Sequence, residues 1–390
     1  MAWITTSLLA IVFLLYILIQ IPAVQTWLAK KMVYQLENSL DATISVEYVH
    51  FEFWHKARIE DLSIQQRDKS IYIHSAVLDF DVFDLLGATM SIKDVTIDGA
   101  KIQINTDPSI EKPDVKKGGK WKTILQAINA ENVEIEVLMP HKGRTLHLDL
   151  PSAHLDLGEF ILGKSIFHPK NIELQGPNLV QHVDHVTSKK TPSTSQQIDF
   201  TALKNLGLSL NKVLVNDFTY TTVFDKDSFP VVKNLSGIFS VTTTENLFAL
   251  SSSNLIADLD QYPAISADNI EIYSTKDSFK VGLKAFDLGT SVFSGKLELP
   301  LTDYKYSIED IWNAPFHLTL ENSNITVKER ELIWANTAIE LGKFEEFLGQ
   351  ETIYFDSIVV DGTLSNLDVQ RIDLTSEHIV VDGNANIKGL

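Results

Sequence analysis

The chain has 390 residues, of which 44% are hydrophobic and 22% are charged, so it is long and apolar enough for one large or two ordinary domains. Acidic residues outnumber basic ones, 51 against 33, and a net charge of -18 with no long basic stripe argues against binding along a nucleic-acid backbone. The lack of cysteine excludes disulfides, thiolate metal sites and cysteine nucleophiles.

The N-terminal segment predicts a transmembrane anchor over residues 1–22. The stretch WITTSLLAIVFLLYILIQI, from Trp3 to Ile21, carries no charge, and roughly 19 helical residues span about 28 Å, close to the thickness of a bilayer core. A cleaved signal peptide is the alternative, but its apolar region is usually shorter, and no small-x-small cleavage site follows. The residues assigned to the anchor are Trp3, Leu8, Leu9, Ile11, Val12, Phe13, Leu14, Leu15, Tyr16, Ile17, Leu18, Ile19 and Ile21.

Residues 23–43 predict an amphipathic helix. Two interpretations of this helix stay open, since it could lie near the membrane surface or cap the start of the following sheet. Lys30 and Lys31 follow the anchor while no basic residue precedes it, a weak signal that would place the body of the chain in the cytoplasm. The apolar residues at helical spacing are Val24, Trp27, Leu28, Met32, Leu36 and Leu40.

From Ile44 onward the hydrophobic period is two, which predicts β-strands with one apolar and one polar face. In VEIEV, for example, Val133, Ile135 and Val137 alternate with two glutamates. Tight Asp-Gly or Gly-Pro pairs stand between several such stretches, and we expect them to form hairpin turns that join antiparallel strands. These pairs are Asp98-Gly99, Gly176-Pro177, Asp361-Gly362 and Asp382-Gly383.

Helices are expected to be few and short after this point, and a polar linker divides the chain. The helical patterns begin at Trp121, Ser307 and Lys343. The linker SKKTPSTSQQ, residues 188–197, separates a membrane-proximal β domain, residues 44–187, from a continuing β domain, residues 198–390. We therefore predict a mainly β protein in two parts.

The order of these elements resembles the N-terminal part of the AsmA/TamB family, which is related in architecture to bridge-like lipid transfer proteins. The resemblance rests on the anchor, on VQTWLAKKMVYQLENSLDATISVEYVHFEFWHKARIEDLSIQ, and on repeated strand motifs such as KDVTIDGAKIQIN, IELQGPNLV and IVVDGTLSNL. It implies a long, twisted, largely antiparallel sheet curled into an apolar groove. No C-terminal family domain follows GNANIKGL, so we expect a truncated or short member.

The resemblance also implies a function. A member of this family would be held in the bacterial inner membrane by a single pass, with its body in the periplasm, and would move phospholipids towards the outer membrane along the groove. The candidate groove residues are Ile102, Ile104, Val133, Ile135, Val137, Leu146, Leu148, Leu150, Phe279, Val281, Leu283, Phe293, Leu297, Leu299, Phe316, Leu318 and Leu320.

Two other functions stay open. An assembly factor for outer-membrane β-barrel proteins would act through exposed strand edges with a β-barrel insertase partner of the TamA or BamA type. A structural scaffold of the envelope would instead close the apolar faces into a sandwich core.

Motifs that carry chemistry are lacking in the sequence. It contains no phosphate-binding loop, no nucleophile elbow and no zinc-protease motif. His182, Asp184 and His185 in QHVDH could contribute metal ligands, but no further ligand cluster accompanies them, and we interpret them as solvated side chains. We expect neither an enzyme nor a bound metal or cofactor.

Overall fold

The structure is a computed structural model, and it divides the chain into two units that are described separately. The first unit comprises Met1–Thr187 and Phe218–Pro230, and the second comprises Ser188–Asp217 and Val231–Leu390. The residues that the structure describes are 21, 24–27, 30–31, 33–34, 37, 42–52, 55–80, 89–107, 122–161, 169–183, 197–199, 209–224, 227–244, 247–260, 262–275, 277–300, 305–307, 314–330, 352–363, 366–376 and 380–388.

The first unit is a β-sheet whose strands mostly follow chain order. Successive strands pair antiparallel from β1 to β4 and again from β5 to β6, whereas β4 and β5 pair parallel. Both β7 and β8 pair antiparallel with β6, and residues 219–224 pair parallel with β8. The strands are β1 (Thr43–Glu52), β2 (Lys56–Gln65), β3 (Lys69–Phe80), β4 (Thr89–Asn105), β5 (Lys122–Met139), β6 (Arg144–Ile161), β7 (Asn171–Gln175) and β8 (Asn178–Val183).

The second unit is an antiparallel ladder. Its strands pair in the order β11, β12, β13, β14, β15, β17, β18, β19 and β20, and a separate two-stranded sheet pairs β9 with β16. The strands are β9 (Gln197–Asp199), β10 (Ser209–Phe224), β11 (Asp227–Thr244), β12 (Leu247–Leu259), β13 (Ile265–Thr275), β14 (Phe279–Leu288), β15 (Ser291–Leu299), β16 (Lys305–Ser307), β17 (Phe316–Ile325), β18 (Ile353–Thr363), β19 (Asn366–Thr375) and β20 (Val380–Lys388). Strands β10 and β11 contribute residues to both units.

The predicted fold class is confirmed in its coarse form, because the described residues are mainly β and most strands pair antiparallel. Helical residues are found at 24–27, 30–31, 33–34 and 37, within the predicted amphipathic helix, and at 327–330. A 3₁₀ turn, Pro140–Lys142, joins β5 to β6 and is closed by Gly143 in a left-handed conformation. No helix among the described residues combines the length and hydropathy needed to cross a bilayer, and the predicted anchor lies outside them except for Ile21.

The helix predicted at Trp121 is wrong, because Lys122–Met139 forms β5. An isolated helical stretch this short has little stability of its own, and β5 instead pairs along its length with both β4 and β6. Of the other two predicted helices, Ser307 ends β16, and the rest of that stretch, like the stretch from Lys343, lies outside the described residues.

The predicted hairpin turns at the Asp-Gly and Gly-Pro pairs are also wrong. Asp98-Gly99 lies inside β4, Asp361-Gly362 inside β18 and Asp382-Gly383 inside β20. Gly176-Pro177 separates β7 from β8, which both run antiparallel to β6 and therefore continue one another. A hairpin would reverse the chain at such a pair, whereas here the chain continues in the same direction.

What these positions provide in the first unit is a row of kinks across the sheet. Asp61, Gly99 and Asn132 have positive φ angles of 51°, 71° and 56°, and Gly176 has a φ of 61°. Strand pairing places these four residues on one line across the sheet, and His74 of β3 and Pro151 of β6 occupy the positions between them. We call this line the first kink row. A left-handed residue interrupts the regular backbone geometry of a strand. Pairing continues one for one on both sides of this row, without a shift in register.

The second unit has a corresponding line, the second kink row. Asn254, Ala285 and Asn322 have φ angles of 52°, 46° and 47° on β12, β14 and β17. Serine hydroxyls accept backbone N–H groups released from regular pairing there: Ser294 Oγ lies 3.0 Å from Ala285 N, and Ser323 Oγ lies 2.9 Å from Ser294 N. The bulges are therefore built into the hydrogen bonding of the sheet.

Each kink changes which residues face the same side. In β4 the apolar residues are Ala100, Ile102 and Ile104 on one side of Gly99, and Ile97 and Val95 on the other. The apolar period of two thus changes phase at the left-handed Gly99, and apolar residues from both sides of it contact the same cluster. Ile97 and Ile102, from opposite sides of the kink, pack against the same buried cluster of Ala100, Ala130, Val133 and Ala153.

Ala285 tests the strain at the second kink row, because alanine gains nothing from a left-handed conformation. Ala285→Gly should raise the free energy of unfolding by about 0.5–1 kcal/mol, since the steric penalty of roughly 1–2 kcal/mol exceeds the entropic cost of glycine in a strand. Ala285→Val should lower it. Urea denaturation followed by circular dichroism measures both changes.

The matched control is Ala267→Gly, at a buried alanine of the neighbouring strand β13 that does not have a positive φ. This control should lose stability, by about 0.5–1 kcal/mol. Equal losses for Ala285→Gly and Ala267→Gly would contradict the assignment of strain to Ala285.

Candidate functional site

The candidate site of the first unit is one continuous apolar face. Register places an aliphatic residue directly opposite another on each neighbouring strand, without interruption, from β1 through β6 to β8. We call this line the first apolar row, and its members are Ile44, Ile64, Ile71, Ile102, Ile135, Leu148 and Leu179. Cross-strand pairs of this kind stabilise the sheet and set its register.

The second unit carries a corresponding and longer line, the second apolar row. It crosses nine neighbouring strands, from β11 to β20 without β16, and every member is aliphatic. Its members are Val241, Leu250, Ile272, Val281, Leu297, Leu318, Val360, Val369 and Ala385.

The structure brings the predicted groove candidates together in short rows within each unit. In the first unit, Ile104, Val137 and Leu146 form a row beside the first apolar row, and Val133 pairs with Leu150 on its other side. In the second unit, Leu299 packs with Phe279 and Phe316, Phe293 pairs with Phe286, and Leu283 and Leu320 both pair with Gly295. The remaining candidates, Ile102, Ile135, Leu148, Val281, Leu297 and Leu318, belong to the two apolar rows.

Burial decides what kind of face this is. Only Val133, at 6% exposure, and Leu299, at 5%, are fully buried among the predicted candidates. The others are half-buried, including the six candidates that belong to the apolar rows. Residues in the core of a closed β-sandwich are covered by a second sheet and are mostly fully buried. The described parts of the sheet therefore keep an apolar face that is packed sideways but incompletely covered.

Sequence reasoning missed the apolar residues beyond each kink. Ile97, Leu155 and Leu174 pack against the same cluster as Ile102 and Ile135, but they are out of phase with the alternation that identified the candidates. Phe286 is missed for the same reason, because the left-handed Ala285 separates it from Leu283. An Asn, Asp or Gly between two apolar runs of opposite phase is the sequence signal that would have identified the residues beyond most kinks. At Ala285 no such residue type marks the kink.

The opposite face of the sheet is polar and paired. On β4 and β5, Lys101 Nζ lies 3.0 Å from Glu134 Oε2, and the Gln103 amide donates to Glu136 Oε2 at 2.6 Å. On the second unit, Lys280 Nζ lies 2.9 Å from Glu298 Oε2. Such exposed pairs add little stability, but they keep charge away from the apolar face.

A hydrogen-bonded cluster occupies the first kink row. The Tyr72 hydroxyl donates to the Asp61 carboxylate, and His74 Nδ1 lies 3.3 Å from the same oxygen. The hydrogen bond from Tyr72 and, to a smaller extent, that from His74 hold the pKa of Asp61 below its ordinary value. The bond to Asp61 in turn raises the pKa of Tyr72. All three side chains are solvent-accessible, and the hydrogen bonds brace the kink by linking Asp61 of β2 to Tyr72 and His74 of β3.

The described residues contain no group of three or more His, Asp or Glu side chains that could hold a metal ion. His182 is exposed near the end of β8, and Asp184 and His185 lie outside the described residues.

Comparisons with known proteins give no relative from which a function could be transferred. No protein-family model matches the chain, and no curated protein matches it. The resemblance to the AsmA/TamB family accordingly stays a prediction, and the function has to be argued from the apolar faces themselves.

The Asp61 cluster generates a pH prediction. A lowered carboxyl pKa stabilises the folded chain above the ordinary pKa of aspartate, and this contribution is lost as the pH falls through the folded value. A raised phenol pKa contributes below the ordinary pKa of tyrosine, and that contribution is lost as the pH rises through the folded value. Asp61→Asn removes the carboxylate that raises the pKa of Tyr72, so this substitution should lower that pKa. NMR measures the change from the ¹³Cζ shift of the Tyr72 ring.

Asp94→Asn is the control, because Asp94 accepts hydrogen bonds from Thr96 and Asn129 on β4 and β5 and does not contact Tyr72. It should leave the titration of Tyr72 in place. A Tyr72 pKa unchanged by Asp61→Asn would rule out the brace.

Proposed function

We propose that the chain is a membrane-anchored lipid-transfer protein whose apolar faces hold the acyl chains of phospholipids. The observation that carries this proposal is the pair of unbroken aliphatic rows, most of whose members stay half-buried where a sandwich core would be covered. Acyl chains match such a face because they need no hydrogen bond and no charge partner, only apolar surface removed from water.

The kink rows support a groove rather than a flat apolar sheet. In the first unit the buried residues near the kink include four alanines, Ala76, Ala100, Ala130 and Ala153, beside the larger Val133 and Pro177. Small side chains are needed on the inner side of a bend, where neighbouring Cβ atoms converge. We infer that the sheet bends towards its apolar face and forms a trough with polar residues outside.

The dimensions of the rows fit lipid chains. Neighbouring strands lie about 4.8 Å apart, so the first apolar row is roughly 29 Å long and the second roughly 38 Å. One leaflet of a bilayer is roughly 15 Å deep in its hydrocarbon core, half of about 30 Å. Each row is therefore longer than one acyl chain, and each unit should accommodate more than one phospholipid.

The mechanism needs no catalytic residue. Acyl chains would slide from row position to row position, because aliphatic contacts of similar strength follow one another at every strand, while headgroups stay in water at the open side of the trough. We place the body in the periplasm and the anchor in the bacterial inner membrane, with phospholipid moving towards the outer membrane, in keeping with the AsmA/TamB resemblance. An outer-membrane β-barrel partner would complete the path.

A substitution pair on β17 tests the proposal. Leu318 belongs to the second apolar row, and Thr319 lies next to it on the opposite face. Leu318→Asp should remove most of the phospholipid that the second unit holds when the whole chain is purified. The reason is that a carboxylate beside acyl chains is energetically unfavourable. Lipid extraction and quantitative mass spectrometry measure the lipid bound per chain.

Thr319→Asp is the matched control, since it adds the same charge one residue away on the polar face. It should keep the lipid content of the parent chain, and circular dichroism should show that both variants are folded. Equal lipid content in the two folded variants would sink the proposal, whereas lipid absent from the parent chain would favour the scaffold or the assembly factor.

A further inference from the structure

The helix that precedes β1 contacts the sheet near both of its ends. Val24 packs against the buried cluster of the first unit that contains Phe51 and Phe80, and Glu37 Oε1 accepts a hydrogen bond from Ile44 N at 3.1 Å. Phe51 and Ile44 belong to opposite ends of β1. The helix therefore lies along β1.

Between these two contacts the helix exposes aromatic and cationic residues, and Lys30 and Tyr34 line an open groove beside β1. Trp27 is 54% exposed and Tyr34 is 63% exposed, and Lys30 between them is exposed as well. Lys31 Nζ lies 5.3 Å from the centre of the Trp27 ring. Positions 27, 30, 31 and 34 are three, four and seven residues apart, which places them on one face of a helix. We call these four residues the aromatic-lysine face.

We propose that the aromatic-lysine face lies on the surface of an anionic phospholipid bilayer. Indole and phenol rings favour the boundary between headgroups and acyl chains, and lysines beside them attract anionic headgroups. Two lysines together stand out on a chain whose net charge is -18. The uncharged stretch from Trp3 to Ile21 ends a few residues before Trp27, so an anchor there would bring this face to the membrane surface.

This inference rests on the anchoring that belongs to the proposed function, but not on lipid binding by the apolar rows. It assigns the helix both of its possible roles, because Val24 and Glu37 contact the sheet while the exposed residues between them contact the bilayer. The body of the first unit would thereby be held at a fixed orientation to the membrane, with β1 next to the headgroups.

The chain contains no cysteine, so single labelling sites can be introduced without removing any. We would replace Tyr34 by Cys in the full-length chain, attach a nitroxide and reconstitute the protein into nanodiscs of phosphatidylcholine with added phosphatidylglycerol. Electron paramagnetic resonance then compares access of oxygen, which concentrates in lipid, with access of a water-soluble nickel chelate. Tyr354→Cys, at an exposed tyrosine of β18, is the matched water-facing control.

The label at position 34 should show a higher ratio of oxygen to nickel access than the label at position 354. Adding Lys30→Gln and Lys31→Gln to the Tyr34→Cys chain should reduce that ratio, and nanodiscs of phosphatidylcholine alone should reduce it too. Nickel access at position 34 equal to that at position 354 would overturn the proposal, as would protection from both reagents, which would mean that protein covers this face.

The two proposals fail in different ways. A chain that does not enter nanodiscs at all would overturn the anchoring and this inference together. A chain that enters them, carries a water-exposed label at position 34 and still copurifies with phospholipid would overturn this inference and leave the lipid-transfer function standing.

Discussion

The constraint on which the structure depends is that a sheet with one apolar face must cover that face. In each unit the cross-strand pairs of the apolar rows bury part of every side chain against its neighbours, and most of those side chains still keep part of their surface exposed. Each Å² of apolar surface left in water is unfavourable by roughly 25 cal/mol of free energy. An apolar ligand that covered this surface would remove that unfavourable term. The proposed ligand class rests on this exposed apolar surface and not on any sequence motif.

The kink rows explain how one face can stay apolar over strands of up to 18 residues. A regular strand of this length would twist and carry its side chains away from a common face. A left-handed residue interrupts this geometry, and the hydrophobic pattern changes phase at the same place, so Ile97 and Ile102 contact the same cluster from either side of Gly99. Backbone conformation and sequence pattern therefore change together, and a sequence that changed only one of them would turn polar residues towards that cluster.

Much of the fold could be predicted from the sequence, because alternation such as that of Val133, Ile135 and Val137 depends only on the local period of a strand. The position of the bends could not be read in the same way. Asp98-Gly99 has the residue types of a hairpin turn. The pairing of β4 with β3 and β5 shows instead that the chain does not reverse there and that one strand continues through it. The stretch from Trp121 has helical spacing, yet long-range pairing overrides that local preference. The sequence identified the candidate-site residues that keep the period of two within one apolar run. It missed residues beyond a kink, such as Ile97 and Phe286, where that period changes phase.

The central claim is that the apolar rows contact acyl chains, and site-specific photo-crosslinking tests it most directly. A benzophenone amino acid would replace Leu148, in the first apolar row, or its neighbour His147, on the polar face of the same strand, in chains expressed in bacteria whose phospholipids carry radioactive phosphate. The account predicts radiolabelled protein after irradiation for position 148 and little for position 147. Equal labelling at both positions, or none at position 148 in a folded chain, would contradict it.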